Sequence, residues 1–318
     1  MNAIPLFRLA AAGAMIVAAV GAHAQTWPSR PITINFGTAV GGPMDLLSRV
    51  VSAQWEKKLG QRVIVESRPG VGGSVAFAYL VKQAPDGHNF VMSGSPLTTS
   101  LFVKNLQFDP FKDVTPVSIA ALQQYYLLVS RAMNIRSLKD FIAYAKANPG
   151  KTSVGIVAAG PHEIETNLML ESLGISVNLI GYRGLASVYP ALMSGELNAT
   201  LGATPPALKS GEIVGIALGG SRRNPEYPDI PTFREGGSQY DPQANFGFFA
   251  HGQTPRDVLN RASAELAAAV KSEEFMTRVT KVLNIEGLGS TPEFADKYLR
   301  DEYVGQKRIA DRLGIKPQ

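Results

Sequence analysis

The chain contains no cysteine in 318 residues. That absence excludes disulfides, thiol nucleophiles, thiolate-held metals and a lipid anchored through a cysteine. Histidine is scarce too. His23, His88, His162 and His251 are scattered, with neither H-E-x-x-H nor another metal-ligand spacing. There is no G-x-S-x-G nucleophile elbow, because "GGSVA" and "GGSRR" lack the closing glycine. "RPGVGG" matches neither phosphate-binding fingerprint and reads as a turn leading into a helix. Beyond residue 24 no apolar run approaches the ~20 residues a membrane-spanning helix needs. The 31 Lys and Arg are dispersed among 26 Asp and Glu, giving a net charge of +5. No basic block with interleaved aromatics stands out, so nucleic acid is not an expected partner.

The first two dozen residues differ from the rest. "MNAIPLFRLAAAGAMIVAAVGAHA" has Arg8, an apolar run over 9–20, and then Ala22-His23-Ala24. This is the order of a secretory signal peptide, with cleavage expected after Ala24. The expected mature chain of about 294 residues would be exported to a bacterial periplasm. Without disulfides it must be held by burial alone, and a chain this long with 45% hydrophobic residues has the means.

From Ile32 onward, strand-length apolar runs alternate with helical patterns. "ITINF", "RVIVE" and "NFVMS" read as strands. Between them fall helices over 43–59, stopped by Gly60, and over 74–83, with Ser74 as the expected cap. A second series begins at "YLLVS" and continues through "TSVGIV", "VNLIGY", "LNATLG" and "IVGIAL", with helices over 137–147, 161–173 and 185–194. After the proline-rich loop "RRNPEYPDIPTF" come one more strand, "NFGFFA", and three helical segments, 255–271, 274–283 and 292–313. The expected fold is α/β, in two lobes, each a mostly parallel sheet flanked by helices. Residues 25–120 and 245–318 would form the first lobe and 121–244 the second, joined by two hinge crossings near 116–124 and 241–249. A cleft between lobes is where a small ligand goes.

Two loops stand at the carboxyl ends of first-lobe strands, where α/β sheets take ligands. In "GTAVGGPMD", Gly41 and Gly42 let backbone approach a ligand, and Pro43 suits a first helical position. The first-turn N–H groups behind it are left for a carboxylate or phosphate. "SGSPLTTS" is a second such loop, offering the hydroxyls of Ser93, Ser95 and Thr98 around Gly94. His162, Glu163 and Glu165 fall at an expected helix start, where the helix dipole favours acids.

Taken together, "WPSRPITI", "AVGGPMD", "LGQRVIVESRPGVGGSVA", "APDGHNFVMSGSP", "FDPFKDVTPVSIAA", "GYRGLASVYPALMSGELNAT", "YPDIPTFREGG" and "FGFFAHGQTP" resemble, in order, the substrate-binding proteins of tripartite tricarboxylate transporters, the Bug family of periplasmic receptors. The resemblance runs from about Trp27 to the C-terminus. It implies a receptor that closes on a small carboxylate without cofactor or metal, delivers it to the membrane subunits of a transporter, and works as a monomer.

It also implies that the loops over 38–45 and 93–98 hold one carboxylate through backbone N–H groups and ordered water, with second-lobe loops over 158–163, 182–186 and 201–204 closing the site. The site residues so implied are Thr38, Ala39, Val40, Gly41, Gly42, Asp45, Ser93, Gly94, Ser95, Thr98, Ala159, Gly160, Glu163, Tyr182, Gly202 and Thr204. Asp45 is expected to brace the first loop, since it would repel an anion, and Tyr182 to wall the pocket.

Four positions depart from the family pattern. Thr38 stands where an aromatic residue is usual, Val40 where alanine is, Glu163 where histidine is frequent and Gly202 where aspartate is frequent. The segment after Ala207 is also shorter than usual. An acid at Glu163 facing the cleft would disfavour a second anionic group on the ligand and favour an amine, amide or hydroxyl. A signalling co-receptor of the same fold and an exported hydrolase with an unfamiliar site stay open as alternatives.

Overall fold

The computed structural model describes residues 27–317, apart from 39, 159, 160, 183, 204 and 205. The expected leader and its cleavage after Ala24 therefore lie outside the described residues. Two sheets flanked by helices form two lobes.

The first sheet grows from β1 (Ile32–Phe36), which pairs in parallel with β2 (Val63–Ser67) on one side and β3 (Asn89–Ser93) on the other. Central and covered on both faces, β1 buries Ile32, Ile34 and Phe36 completely. The Pro43–Leu59 helix lies against it and seats Trp55 beside Phe90 and Phe248, with ring centroids 5.5 Å apart in each case. Such edge-on aromatic pairs add about 0.5–1.5 kcal/mol beyond their burial.

Two further antiparallel strands and a short third extend this sheet. They are β4 (Val114–Gln124), β10 (Gln243–His251) and β11 (Ile285–Gly287), and the sheet order is β11-β4-β10-β3-β1-β2. The second sheet has β5 (Tyr126–Ser130), β6 (Ser153–Val157), β7 (Asn178–Tyr182), β8 (Ala199–Gly202) and β9 (Ile213–Leu218), in the order β7-β6-β8-β5-β9.

Both sheets are thus mixed, where a mostly parallel arrangement was expected. The parallel part is β3-β1-β2 in one and β7-β6-β8 in the other. The antiparallel part comes from the crossings. The chain leaves the first sheet along β4 and enters the second along β5, with only Tyr125 between them. It returns in the opposite sense from β9 to β10, so β9 pairs antiparallel with β5 and β10 with β4. Residues 116–124, expected as a crossing, are therefore strand over their whole length. Pro116, which has no N–H to give, sits at a bulge where β10 skips from Ser118 to Pro116. The helix after "RPGVGG" also differs: its N-cap is Gly73, not Ser74.

Backbone bonds tie the two crossings together at Tyr125. Its N–H donates to the Pro242 carbonyl (3.2 Å), and its carbonyl accepts from Gly219 N–H (2.7 Å). The C-terminal helix, Pro292–Leu313, belongs to both lobes. Ala295 and Leu299 pack in a first-lobe core with Phe77 and Phe249, whereas Ile309 and Ala310 meet Ile164 of the Pro161–Leu173 helix in the second.

Candidate functional site

A cavity of about 1220 Å³ lies between the lobes at the carboxyl ends of β1 and β3. It is lined by Thr38, Val40, Gly41, Gly42, Ser93, Gly94, Ser95 and Thr98 among the residues expected from sequence. Ala39, Ala159, Gly160 and Thr204 lie outside the described residues.

The first loop is shaped by Gly41, whose φ of +87° falls in the left-handed region. Gly41 N–H donates to Asp45 Oδ2 at 2.9 Å, and Arg49 Nε pairs with the other carboxylate oxygen at 2.7 Å. Asp45 is buried beneath the loop and is not a lining residue. Its charge is engaged by Arg49 and its oxygen fixes the turn. The helix that follows is capped by Gly42 in extended conformation, with no side chain bonded to its first-turn amides. An anion at this end meets N–H groups and the positive end of a 17-residue helix.

The second loop is more occupied by protein. Ser95 Oγ accepts from Thr98 N–H (3.3 Å), leaving the serine proton to donate. Thr98 Oγ1 donates to Gln306 Oε1 at 2.5 Å, so its hydroxyl serves a ligand only as an acceptor. The 69–73 turn forms a further wall. Gly73, at φ +87°, approaches so closely that a Cβ there would stand 2.4 Å from Ser93 Oγ.

The second lobe places its residues differently from expectation. Glu163, Tyr182 and Gly202 are not lining residues of this cavity. Gly202 is buried at the end of β8 beneath Tyr189, whose hydroxyl would be 3.0 Å from an added Cβ. Tyr182 ends the edge strand β7 and packs in the cluster of Val188 and Leu192. His162 is buried and is not a lining residue of the cavity. Its Nδ1 accepts from Val157 N–H (3.1 Å), its Nε2 lies 2.6 Å from the Leu201 carbonyl, and burial holds it below the usual imidazole range.

In their place Pro161 and Glu165 line the cavity, together with Tyr125, Gln123, Asn245, Glu302 and Gln306. Helical spacing carried this signal: Glu165 lies one turn beyond Pro161 on the same face, whereas Glu163 is turned roughly 200° from Pro161. Glu165 is 7% exposed, accepts from Tyr240 Oη and Gln306 Nε2 (3.3 Å), and is pushed up by burial. Glu302 accepts from Asn245 Nδ2 at 2.8 and 2.9 Å and is pushed up to about 8, by burial first and by the Glu165 charge second.

A cleft with a helix N-terminus free of a side-chain cap at one wall, and with hydroxyls among its described lining residues, has the parts to bind an acid. Comparison with known proteins points the same way. Residues 47–315 match the model of the tripartite tricarboxylate transporter family receptor, TctC. The chain belongs to this family. TctC and Bug proteins are periplasmic solute-binding receptors rather than enzymes. BugT of Bordetella pertussis is 30% identical over 219 residues, 67% of each chain. The solved structure of R. palustris Rpa4515 with adipate is 26% identical, covers 92% of this chain and all of its own, and superposes with a TM-score of 0.73. MatC (Rpa3494) from Rhodopseudomonas palustris with bound malate is 25% identical, covers 89% of this chain and all of its own, and has a TM-score of 0.68. Among the described residues, no helix is long and apolar enough to cross a membrane.

Proposed function

We propose that this TctC-family chain is cleaved after Ala24, captures a small organic acid between lobes 25–120/245–318 and 121–244, and delivers it to the membrane subunits of a tripartite transporter. The observation that carries this reading is the cavity wall at Gly41-Gly42, where the Pro43–Leu59 helix presents its N-terminus without a side-chain cap. A carboxylate there takes backbone N–H bonds from the first loop and a hydroxyl bond from Ser95. The adipate of Rpa4515 and the malate of MatC support a carboxylate as the ligand class.

Closure is the working step. The ligand bridges groups from both lobes, so it binds the closed form better than the open one and shifts their equilibrium. Tyr125, whose backbone is bonded to both crossings and which is a lining residue of the cavity, is the pivot this reading assigns to that motion.

A thermal-shift screen of the mature chain against aliphatic, aromatic and amino acids tests the reading. A ligand at a hundred times its Kd stabilises by about 2.7 kcal/mol, enough to raise Tm measurably. The expected result is a rise confined to carboxylate-bearing compounds. No rise with any carboxylate, at millimolar concentration, would reject it. Uptake of that acid into vesicles carrying the membrane subunits, dependent on added receptor, tests delivery.

A further inference from the structure

Gln306 joins two parts of the cavity wall that lie far apart in the chain. It is a buried residue of the C-terminal helix, between Leu299 in a first-lobe core and Ile309 against Ile164 of the second lobe. Its Oε1 accepts from Thr98 Oγ1 at 2.5 Å, and its Nε2 donates to Glu165 Oε1 at 3.3 Å. Thr98 belongs to the loop after β3, and Glu165 to the Pro161–Leu173 helix after β6. Tyr240 Oη donates to the other Glu165 oxygen. Four side chains thus form one hydrogen-bonded line from the first lobe to the second, and Thr98, Gln306 and Glu165 are lining residues of the cavity.

The chemistry of this line fixes its direction. Both Glu165 oxygens accept, so the amide turns its nitrogen to Glu165 and its oxygen to Thr98. Glutamine carries a donor and an acceptor on one arm, which neither a carboxylate nor an ammonium group does. At the first-lobe end, Thr98 N–H donates to Ser95 Oγ at 3.3 Å. Ser95 is the hydroxyl that the receptor reading assigns to the acid. Gln306 therefore reaches the ligand through one intermediary, Thr98. The other titratable groups set around Glu165 are Tyr125 at the crossing, Tyr240, and Tyr298 and Glu302 of the C-terminal helix.

We propose that Gln306 is a positioning residue for acid binding: it ties the Ser95–Thr98 turn to Glu165 of the second lobe, so that the turn is held in its acid-binding form only while that lobe is in place. The assignment rests on the receptor reading above and deepens it. Occupation of the turn and docking of the second lobe become one event, because hydrogen bonds in a shared line stand or fall together.

Calorimetric titration of the wild type with unbranched monoacids and α,ω-diacids of four to eight carbons first selects the tightest-binding acid. Thr98→Val and Gln306→Leu are each expected to weaken its binding about tenfold, and the double variant by little more than either alone. A double variant weakened about a hundredfold, the product of independent effects, would overturn the proposal, as would single variants that bind like the wild type. Gln306→Glu gives a second readout should Gln306→Leu fold poorly. While protonated, the new carboxyl accepts from Thr98 and donates to Glu165, whereas once ionised it faces like charge. Compared with the wild type at the same pH, this variant is expected to bind equally at about pH 5 and about tenfold more weakly at about pH 9. An equal deficit at both pH values would assign Gln306 a merely structural role and overturn the proposal, and so would no deficit at either. In each of these cases the receptor reading stands. Failure of every acid to bind the wild type would overturn the two together.

Discussion

Arg308 donates from Nη1 to Glu171 Oε1 at 2.5 Å and so joins the C-terminal helix, rooted in the first lobe, to the Pro161–Leu173 helix of the second. Arg312 meets the other oxygen of the same carboxylate at 3.0 Å. Beside this clasp lie the interlobe apolar contacts of Ile164, Ile309 and Leu101. Exposed ion pairs contribute about 0–1 kcal/mol, so on the closure reading proposed above the clasp would trim the open–closed balance rather than fix it. Glu171→Ala is therefore expected to weaken ligand binding by about two- to fivefold and to enlarge the ligand-free molecule in small-angle scattering, with little change in Tm. The effect should fade at high salt. Unchanged affinity and scattering at low salt would show that the clasp does not act on closure.

Glu302 makes stability depend on pH. Its folded carboxyl is held at about 8, by burial first and by Glu165 second, against an ordinary value of 4.5. Between these values the folded chain binds more protons than the unfolded one. The contribution is therefore whole below about pH 4.5, is lost as pH rises, and levels off above about 8. At about 1.4 kcal/mol per unit, the loss for a partly exposed group is on the order of a few kcal/mol. Glu302→Gln should flatten the fall of Tm between pH 5 and 8, within about a unit. An identical fall in the variant would assign the dependence to other groups.

On the proposed reading, in which the Gly41-Gly42 amides hold the acid, Asp45 acts on the ligand through the Gly41 turn. Asp45→Ala leaves Gly41 N–H without its acceptor and Arg49 without its partner. Losing such a buried bond costs about 1–3 kcal/mol, and the disordered loop presents its amides poorly. Carboxylate affinity is expected to fall about tenfold, measured by calorimetry, even though a negative charge has been removed near the anion. A rise in affinity would mean that charge, not loop geometry, dominates there.

Gly73→Ala tests how tightly the cavity wall is packed. The new methyl would meet Ser93 Oγ at 2.4 Å in a backbone held at φ +87°. Overpacking and the left-handed conformation together are expected to cost about 2–4 kcal/mol in urea unfolding. Adding Ser93→Ala should recover only the steric part, because the backbone strain persists. Full recovery in the double variant would deny any contribution from φ.

Much of this architecture was legible in local sequence. The glycine pair after "ITINF" sits where the turn and the uncapped helix are found, because turn chemistry and helical periodicity depend on neighbours within a few residues. The far end of the cavity was not legible in the same way. Glu163 was expected at the site, whereas Glu165, on the opposite side of the same helix, lines it. Its partner Gln306 is 141 residues away, and Glu302 lies 57 residues from Asn245.

The sequence by itself determined the two α/β series, the order of elements and the amide-rich turn at Gly41-Gly42. Each is specified by hydrophobic period and backbone freedom over short stretches of chain. Only the tertiary structure decided that the crossing strands make both sheets mixed, and that a C-terminal helix brings Glu302 and Gln306 to face Glu165 from across the cleft. Which distant faces meet is set by the packing of whole elements about the Tyr125 crossing, and no local pattern carries that information.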